Sequence, residues 1–374
     1  MRRTATSDRE QRRMQARAAA GAVIDPVLRR SVDELGMLTA VRDARGGPVV
    51  EVALPVAEHP CRGELEADLR TVIDRALHGR GTTRVEFTSM TPHRRLDVAE
   101  HLRATTPPVT GGLGNPCRVY AVASGKGGVG KSTVTANLAV ALAARGQRVG
   151  VLDADVWGHS IPQMFGVHAN PLTLGSLMLP VTAHGVVLMS VGFFIDPAEP
   201  VVWRGPMLHK ALEQFLTDTY WGELDVLLID LPPGTGDITL SLLELVPDAA
   251  LLAVTTPGAT AYTVAERVLT MATQNGMPIA GVVENMSAAV CAHCGERTEL
   301  FGTGGGRRVA EQARVGLLAQ VPRDVAARIA GDVGVPVVLA APSSGSACAL
   351  AELAAGLPVA RRALRGRTLP LSVV

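Results

Sequence analysis

The residues with the clearest chemistry are the eight from Gly125 to Ser132, GKGGVGKS. They satisfy the pattern G-x(4)-G-K-[ST], in which glycines let backbone N–H groups turn inward on phosphate oxygens. Lys131 is placed to reach the β- and γ-phosphates of ATP, and the Ser132 hydroxyl to ligate magnesium. The expected nucleotide contacts are Gly125, Lys126, Gly127, Gly128, Val129, Gly130, Lys131, Ser132 and Thr133. Lysine occurs only at positions 126, 131 and 210, and arginine carries the remaining basic charge. Two lysines in one loop point to a site that needs a compact ammonium rather than a forked guanidinium.

Two later strings supply carboxylates. VLDAD carries Asp153 and Asp155, and LLIDLPPGTGD carries Asp230, followed by Gly234 and Asp237. Ligands of an open α/β sheet gather at the carboxyl ends of its strands, so both strings are expected to face the nucleotide, with Gly234 beside it. Asp230, after four apolar residues, reads as the carboxylate that holds magnesium through water. Asp153 and Asp237 read as supporting turn or cap residues, the ordinary role of an isolated strand-end Asp.

Farther on, Cys291 and Cys294 form C-A-H-C-G, and two thiolates at that spacing grip one metal ion or cluster as half of a four-ligand set. Cys61, Cys117 and Cys348 stand alone. Two copies of the chain meeting on a two-fold axis are the simplest completion. A redox pair of the thioredoxin kind and a structural zinc held by the same thiolates are the competing readings. His293, between the cysteines, is expected to be exposed rather than a ligand.

These groups need a scaffold that brings distant segments together. From Arg118 the sequence has short apolar runs separated by helical stretches: 119–123, 149–152, 186–191, 226–229, 249–254, 279–283 and 316–321. Runs of this kind are strands buried on both faces, and the helices between them imply parallel βαβ units. The expected architecture is α/β, a doubly wound, mostly parallel sheet with the phosphate loop between its first strand and the helix beginning at Ser132.

A small α+β unit is expected ahead of it over 21–104, with a strand at 48–56, a helix at 62–78 and a strand at 84–89. Residues 1–20 read as a disordered tail. Thr105 to Pro116, TTPPVTGGLGNP, has no apolar period, which places a linker at 105–117 and the second domain at 118–374. The 374 residues carry a net charge of +1, which gives no global reason to expect nucleic acid or an anionic membrane. No apolar stretch reaches the ~20 residues of a spanning helix. Five unevenly spaced cysteines suit a reducing, cytoplasmic compartment.

GKGGVGKST resembles the deviant phosphate loop of the family that includes partitioning and division-site ATPases, nitrogenase reductase and the Mrp/ApbC iron-sulfur carriers. DLPPGTGD, VVWRGPM, GVVENMS and IAGDVGVP are similar to the Mrp/ApbC branch in particular, and the likeness runs from Arg118 to about Pro336. The resemblance implies a P-loop NTPase that hydrolyses ATP slowly, as a conformational switch. Lys126 would cross a homodimer interface to the partner's nucleotide, Asp155 would orient the attacking water, and Asn285 would meet the adenine base. Asn285 also reads as a strand-end residue satisfying a turn.

The resemblance further implies a labile 4Fe-4S cluster bridging Cys291 and Cys294 of two copies, passed to recipient apoproteins. The first unit resembles the α+β domain of iron-sulfur assembly factors, with His59 where that family often has Cys and Cys61 displaced to a structural place. A partitioning or division-site ATPase and a zinc-clamped nucleotide-binding dimer are the alternatives.

Overall fold

Apolar runs with no polar interruption must be covered on both faces, and every run named above is a strand in the computed structural model of the chain. The structure describes residues 2–44, 46–78, 81–109, 117–195, 205–234, 237–291 and 293–358. These fall into two units, Met1–Pro107 with Leu172–Leu179, and Pro108–Pro171 with Pro180–Val374. Most of the expected linker and the C-terminal 16 residues, 359–374, lie outside the described residues, as do positions 201–204 of VVWRGPM and 235–236 of DLPPGTGD.

The first unit opens with α1 (Arg2–Gly21), followed by β1 (Leu38–Ala44), β2 (Gly47–Leu54), α2 (Arg62–Ala76), β3 (Arg84–Ser89) and α3 (Pro92–Thr105). β1 and β2 are antiparallel, and β3 runs parallel to β2 with Val50 opposite Val85. Residues 2–20, read as a disordered tail, are therefore a helix. Its buried face includes Ala16 and Ala20, each with no exposed surface, and it packs on α2 and β1. Alanine buries little area per residue, so this face carries a weak apolar period.

α3 begins with Thr91 as N-cap and Pro92 in the first turn, a start that the turn chemistry favours. His59 lies between β2 and α2 with Nε2 2.9 Å from the buried Asp25 Oδ2. Cys61 follows at the N-cap of α2, its pKa raised by burial and then by Glu64 and Asp25.

The second unit runs β4 (Arg118–Ser124), α4 (Lys131–Ala144), β5 (Val149–Asp153), α5 (Ile161–Met164) and then the hairpin β6 (Leu172–Leu174) and β7 (Leu177–Leu179). This hairpin falls within the stretch read as the second domain but groups with the first unit, where Arg103 donates to the Ser176 carbonyl at 3.3 Å. The chain continues through β8 (Val181–Ala183), β9 (Val186–Ser190), α6 (Gly205–Thr217), β10 (Val226–Asp230), α7 (Asp237–Leu245), β11 (Ala250–Thr255) and α8 (Ala259–Gln274). It ends with β12 (Ile279–Val290), β13 (Arg297–Thr298), α9 (Gly305–Ala313), β14 (Leu317–Arg323), α10 (Val325–Asp332), α11 (Val337–Ala340) and α12 (Gly345–Gly356).

Among the described residues the sheet order is β13-β12-β11-β4-β10-β5-β9-β8, with β14 beside β12. All pairings are parallel except those of the edge strands β8 and β13, so this is the expected doubly wound, mostly parallel α/β sheet. β5, β10 and β11 are buried at every residue.

The order matters for the site. β4 has β10 on one side and β11 on the other, although α4 carries the chain from β4 past β10 to β5. That reversal opens a crevice at the carboxyl ends of the strands, where ligands of such sheets bind. Register completes the placement, because Asp230 stands opposite Asp153 on one side and Val122 on the other.

At the opposite end of these strands Arg148 pins the register, with Nη2 2.9 Å from Asp225 Oδ1 and Nε 3.2 Å from Oδ2. Those hydrogen bonds from Arg148 hold the Asp225 carboxyl below its ordinary pKa. A lowered carboxyl pKa stabilises the fold above the unfolded value, near 4, and this contribution disappears as pH falls through the folded value. Asp225→Asn is expected to cost less than about 1 kcal/mol at neutral pH, since the pair is solvent-exposed. Urea unfolding over a pH series from neutral to below the lowered folded value should show the difference from the parent shrinking as that value is passed.

Candidate nucleotide site and cysteine pair

The phosphate loop leaves β4 at Ser124, whose hydroxyl donates to the Lys126 carbonyl at 3.1 Å. Gly125 is required by close approach, because a Cβ there would collide with the backbone of Val264 in α8. Lys126, Gly127 and Gly128 form the exposed outer part of the loop, and Val129 tucks under it, buried. Gly130 adopts φ 82° as the N-cap of α4, and a side chain there would also strike the Asn285 amide. Lys131, Ser132 and Thr133 then form the first turn, so the helix N-terminus and its unpaired N–H groups face the crevice.

Lys131 is only 6 % exposed, and its Nζ lies 2.7 Å from Asp230 Oδ2 and 3.6 Å from Asp155 Oδ2. The Ser132 hydroxyl donates to Asp230 Oδ2 at 2.5 Å, and Thr135 donates to Asp230 Oδ1 at 2.8 Å. A hydroxyl and a carboxylate are hard oxygen donors, so Ser132 and Asp230 fit magnesium, which would neutralise phosphate charge when bound. Three sequence-expected groups, Lys131, Ser132 and Asp230, thus meet at one point. Thr135 joins them unannounced, although it lies four residues after Lys131 on the same face of α4.

Asp155 is positioned by its neighbour. Asp153 Oδ1 accepts from the Asp155 N–H at 3.1 Å, while Oδ2 accepts from Ser190 at 3.0 Å and from the Ile161 N–H at 3.3 Å. Burial first, then the charge of Asp230, pushes the Asp153 carboxyl up to about 7. Asp153 therefore shapes the loop, and Asp155 Oδ1 accepts from Gly158 N while Oδ2 faces Lys131. Gly234 also closes on this end of the sheet, its N–H donating to the Ser124 carbonyl at 2.8 Å. The side chain of Asp237 lies outside the described residues.

Asn285 sits on β12 at the edge of the loop, 7 % exposed, and its amide donates to the Val129 carbonyl at 2.9 Å. In this structure it braces the phosphate loop. Strand β12 then runs on to Val290, turns through Cys291 and Cys294, and returns as β13 with Val290 opposite Arg297.

Both cysteines are exposed, and the Cys291 N–H donates to the Glu296 carbonyl at 2.9 Å. The thiol of Cys291 is held below its ordinary value by the N–H of Cys294, then that of His293, then the Cys294 thiol. Such a turn favours thiolates, the form that binds metal. Among the described residues no three His, Cys, Asp or Glu side chains converge for a metal ion, and the turn presents two exposed cysteines. Nor is any described helix long and apolar enough to cross a membrane.

Two measurements check this geometry. Thr135→Val removes one donor to a buried carboxylate, at about 1–3 kcal/mol. It should weaken Mg-ATP binding about five- to hundredfold by calorimetry while the fold persists. Iodoacetamide labelling followed by peptide mass spectrometry should give Cys291 a reaction midpoint below pH 9.0, the ordinary thiol value.

Comparison with known proteins identifies the family. The family model described as ParA: NUBPL iron-transfer P-loop NTPase matches residues 116–357. The iron-sulfur cluster carrier protein of Mycobacterium tuberculosis (strain ATCC 25618 / H37Rv) is 48% identical over 366 residues, 95% of each chain. That of Synechocystis sp. is 39% identical over 338 residues, covering 89% of this chain and 93% of the relative. Among solved structures, a nucleotide-binding protein of Archaeoglobus fulgidus, in complex with ADP and with cobalt found, is 36% identical with a TM-score of 0.53. It covers 62% of this chain and 95% of its own. The chain belongs to the iron-transfer P-loop NTPases, the family of the iron-sulfur cluster carrier proteins.

Proposed function

We propose that the protein is an ATP-dependent iron-sulfur cluster carrier that works as a homodimer in the cytoplasm. The observation that carries this reading is the exposed Cys291–Cys294 pair, set in the turn that ends the strand bracing the phosphate loop through Asn285. Two such pairs across a two-fold axis supply the four thiolates of a 4Fe-4S cluster, which is the cargo. Exposure suits transfer, because an acceptor's thiols must reach the iron.

In the nucleotide site Lys131 neutralises the β- and γ-phosphates, and Ser132 and Asp230 hold magnesium. Asp155 orients the water that attacks the γ-phosphorus, and Asn285 keeps its hydrogen bond to Val129 while the rest of its amide meets the adenine. The exposed Lys126 reaches the partner's nucleotide. Hydrolysis is slow, because the nucleotide sets a conformation and turnover is not an end in itself. Assembly factors supply the cluster, and recipient apoproteins accept it.

Anaerobic reconstitution with iron and sulfide should give the visible absorbance of a 4Fe-4S cluster at one cluster per dimer. Cys291→Ser with Cys294→Ser should abolish the absorbance and leave Mg-ATP binding intact. A parent protein that takes up no cluster, or a double variant that retains it, rules the carrier role out. Zinc at one per dimer by elemental analysis of anaerobically purified protein would favour the structural clamp.

A further inference from the structure

Beside Asn285 on β12 stands Glu284, which the nucleotide and cysteine chemistry does not use. It is 1 % exposed, and its two oxygens accept hydrogen bonds from different elements. Oε2 accepts from the Gly306 N–H at 2.6 Å, in the first turn of α9, and Oε1 accepts from Gln320 Nε2 of β14 at 2.7 Å. A buried carboxylate costs free energy unless its lone pairs are satisfied, and a helix N-terminus is where it is best tolerated.

The backbone around Gly306 is shaped to this contact. A Cβ on Gly306 would lie 2.6 Å from the Glu284 Cβ, and one on Gly305 would lie 2.5 Å from the Pro257 carbonyl oxygen. Neither position has room for a side chain. The first turn of α9 is therefore seated against β12 and the end of β11.

Topology gives this contact its meaning. Between Glu284 and Gly306 the chain makes one excursion, out along β12, through Cys291 and Cys294, and back by β13. β12 leaves regular pairing within it, since its partners on β14 pass from Val321 opposite Asn285 directly to Arg323 opposite Ala289. Met286 has φ 56° at that irregularity, unusual for a residue with a side chain. The hydrogen bond from Gly306 to Glu284 thus closes the base of the cysteine excursion. The next residue, Asn285, ties that same base to Val129 of the phosphate loop.

We infer that Glu284 is a positioning residue that closes the base of the cysteine excursion, and that with Asn285 it makes the placement of Cys291 and Cys294 respond to the phosphate loop. Phosphates drawn onto the loop N–H groups shift Val129, and the shift passes through the Asn285 amide to β12. Glu284 ensures that both ends of the excursion move as one body. The consequence for cargo rests on the carrier reading, but the coupling itself requires no bound cluster.

Amide hydrogen exchange of the full chain, with and without saturating Mg-ADP, tests this by mass spectrometry. In the parent, Mg-ADP should slow exchange in both 125–135 and 288–304. Glu284→Ala should keep the slowing in 125–135, lose it in 288–304, and raise basal exchange of 288–304 about tenfold by opening a buried hydrogen bond. Glu284→Gln should restore the parent pattern, since its Oε1 accepts from Gly306 and its Nε2 donates to the Gln320 carbonyl oxygen after that amide rotates. Asn285→Ala should retain the basal protection of 288–304 and, at Mg-ADP concentrations that still slow exchange in 125–135, lose the response of 288–304.

Several outcomes overturn the inference. They are a parent whose 288–304 ignores Mg-ADP while 125–135 responds, a Glu284→Ala protein that keeps the response, and an Asn285→Ala protein that keeps it. If Glu284→Ala loses protection throughout β4 and β10, it has not folded, and the other two variants decide. Cluster reconstitution separates this result from the carrier reading. A parent that binds the cluster without coupling defeats the inference alone, and one that couples without binding the cluster defeats the carrier reading alone.

Discussion

A carboxylate with no exposed surface is expensive, and the structure around Asp230 is organised to satisfy it. Its desolvation would cost several kcal/mol if the charge stood alone. Here Lys131, Ser132 and Thr135 all converge on its two oxygens. These donors come from the first turn and a half of one helix, so α4 must begin where the strand β10 ends. That condition holds only because β10 lies between β4 and β5 in the sheet and is in register with both. The buried ion pair thus dictates strand order, loop length and helix start together. The same donors are the groups that a phosphate and its metal would use.

Much of this arrangement was legible in the sequence, for a physical reason. Strands covered on both faces admit almost nothing polar, so their ends are marked by the first charged residue. Asp153 and Asp230 are such ends, and glycines that permit no Cβ mark the loop between β4 and α4. The elements that escaped notice lack those contrasts. α1 turns Ala16 and Ala20 inward, residues whose burial leaves little trace in a hydropathy pattern. The hairpin Leu172–Leu179 is short, and only its tertiary surroundings assign it to the first unit.

Thr135 and Glu284 were hidden differently. A threonine in a helix interior is unremarkable by type, and only the distance to Asp230 reveals its work. Glu284 did carry a signal. A charged residue directly after the apolar run 279–283, and still within β12, must be neutralised, paired or turned toward a helix end, and it meets the first turn of α9. Asn285, next to it, reads equally as a turn residue and as a base contact, and the structure shows a third use, a strut under the phosphate loop.

The two ends of β12 therefore work by opposite physical rules. At the nucleotide site, the charges of Lys131 and Asp230 are buried and hydrogen-bonded to each other, so the interaction is strong in the low dielectric. At the cysteine turn, both thiols are exposed and that of Cys291 is supported by N–H groups of its own turn, which favours its thiolate without enclosing it. A cluster that is to be given away needs the second environment, because enclosure that protects cargo also retains it. In the proposed homodimer, secure holding comes from bringing two such turns together, which is a matter of placement rather than of local affinity. Placement is what the buried end of β12 can supply, since its side chains grip the phosphate loop and the returning chain at adjacent residues. A strand stiffened at one end and bare at the other converts occupancy of a buried site into the position of an exposed one.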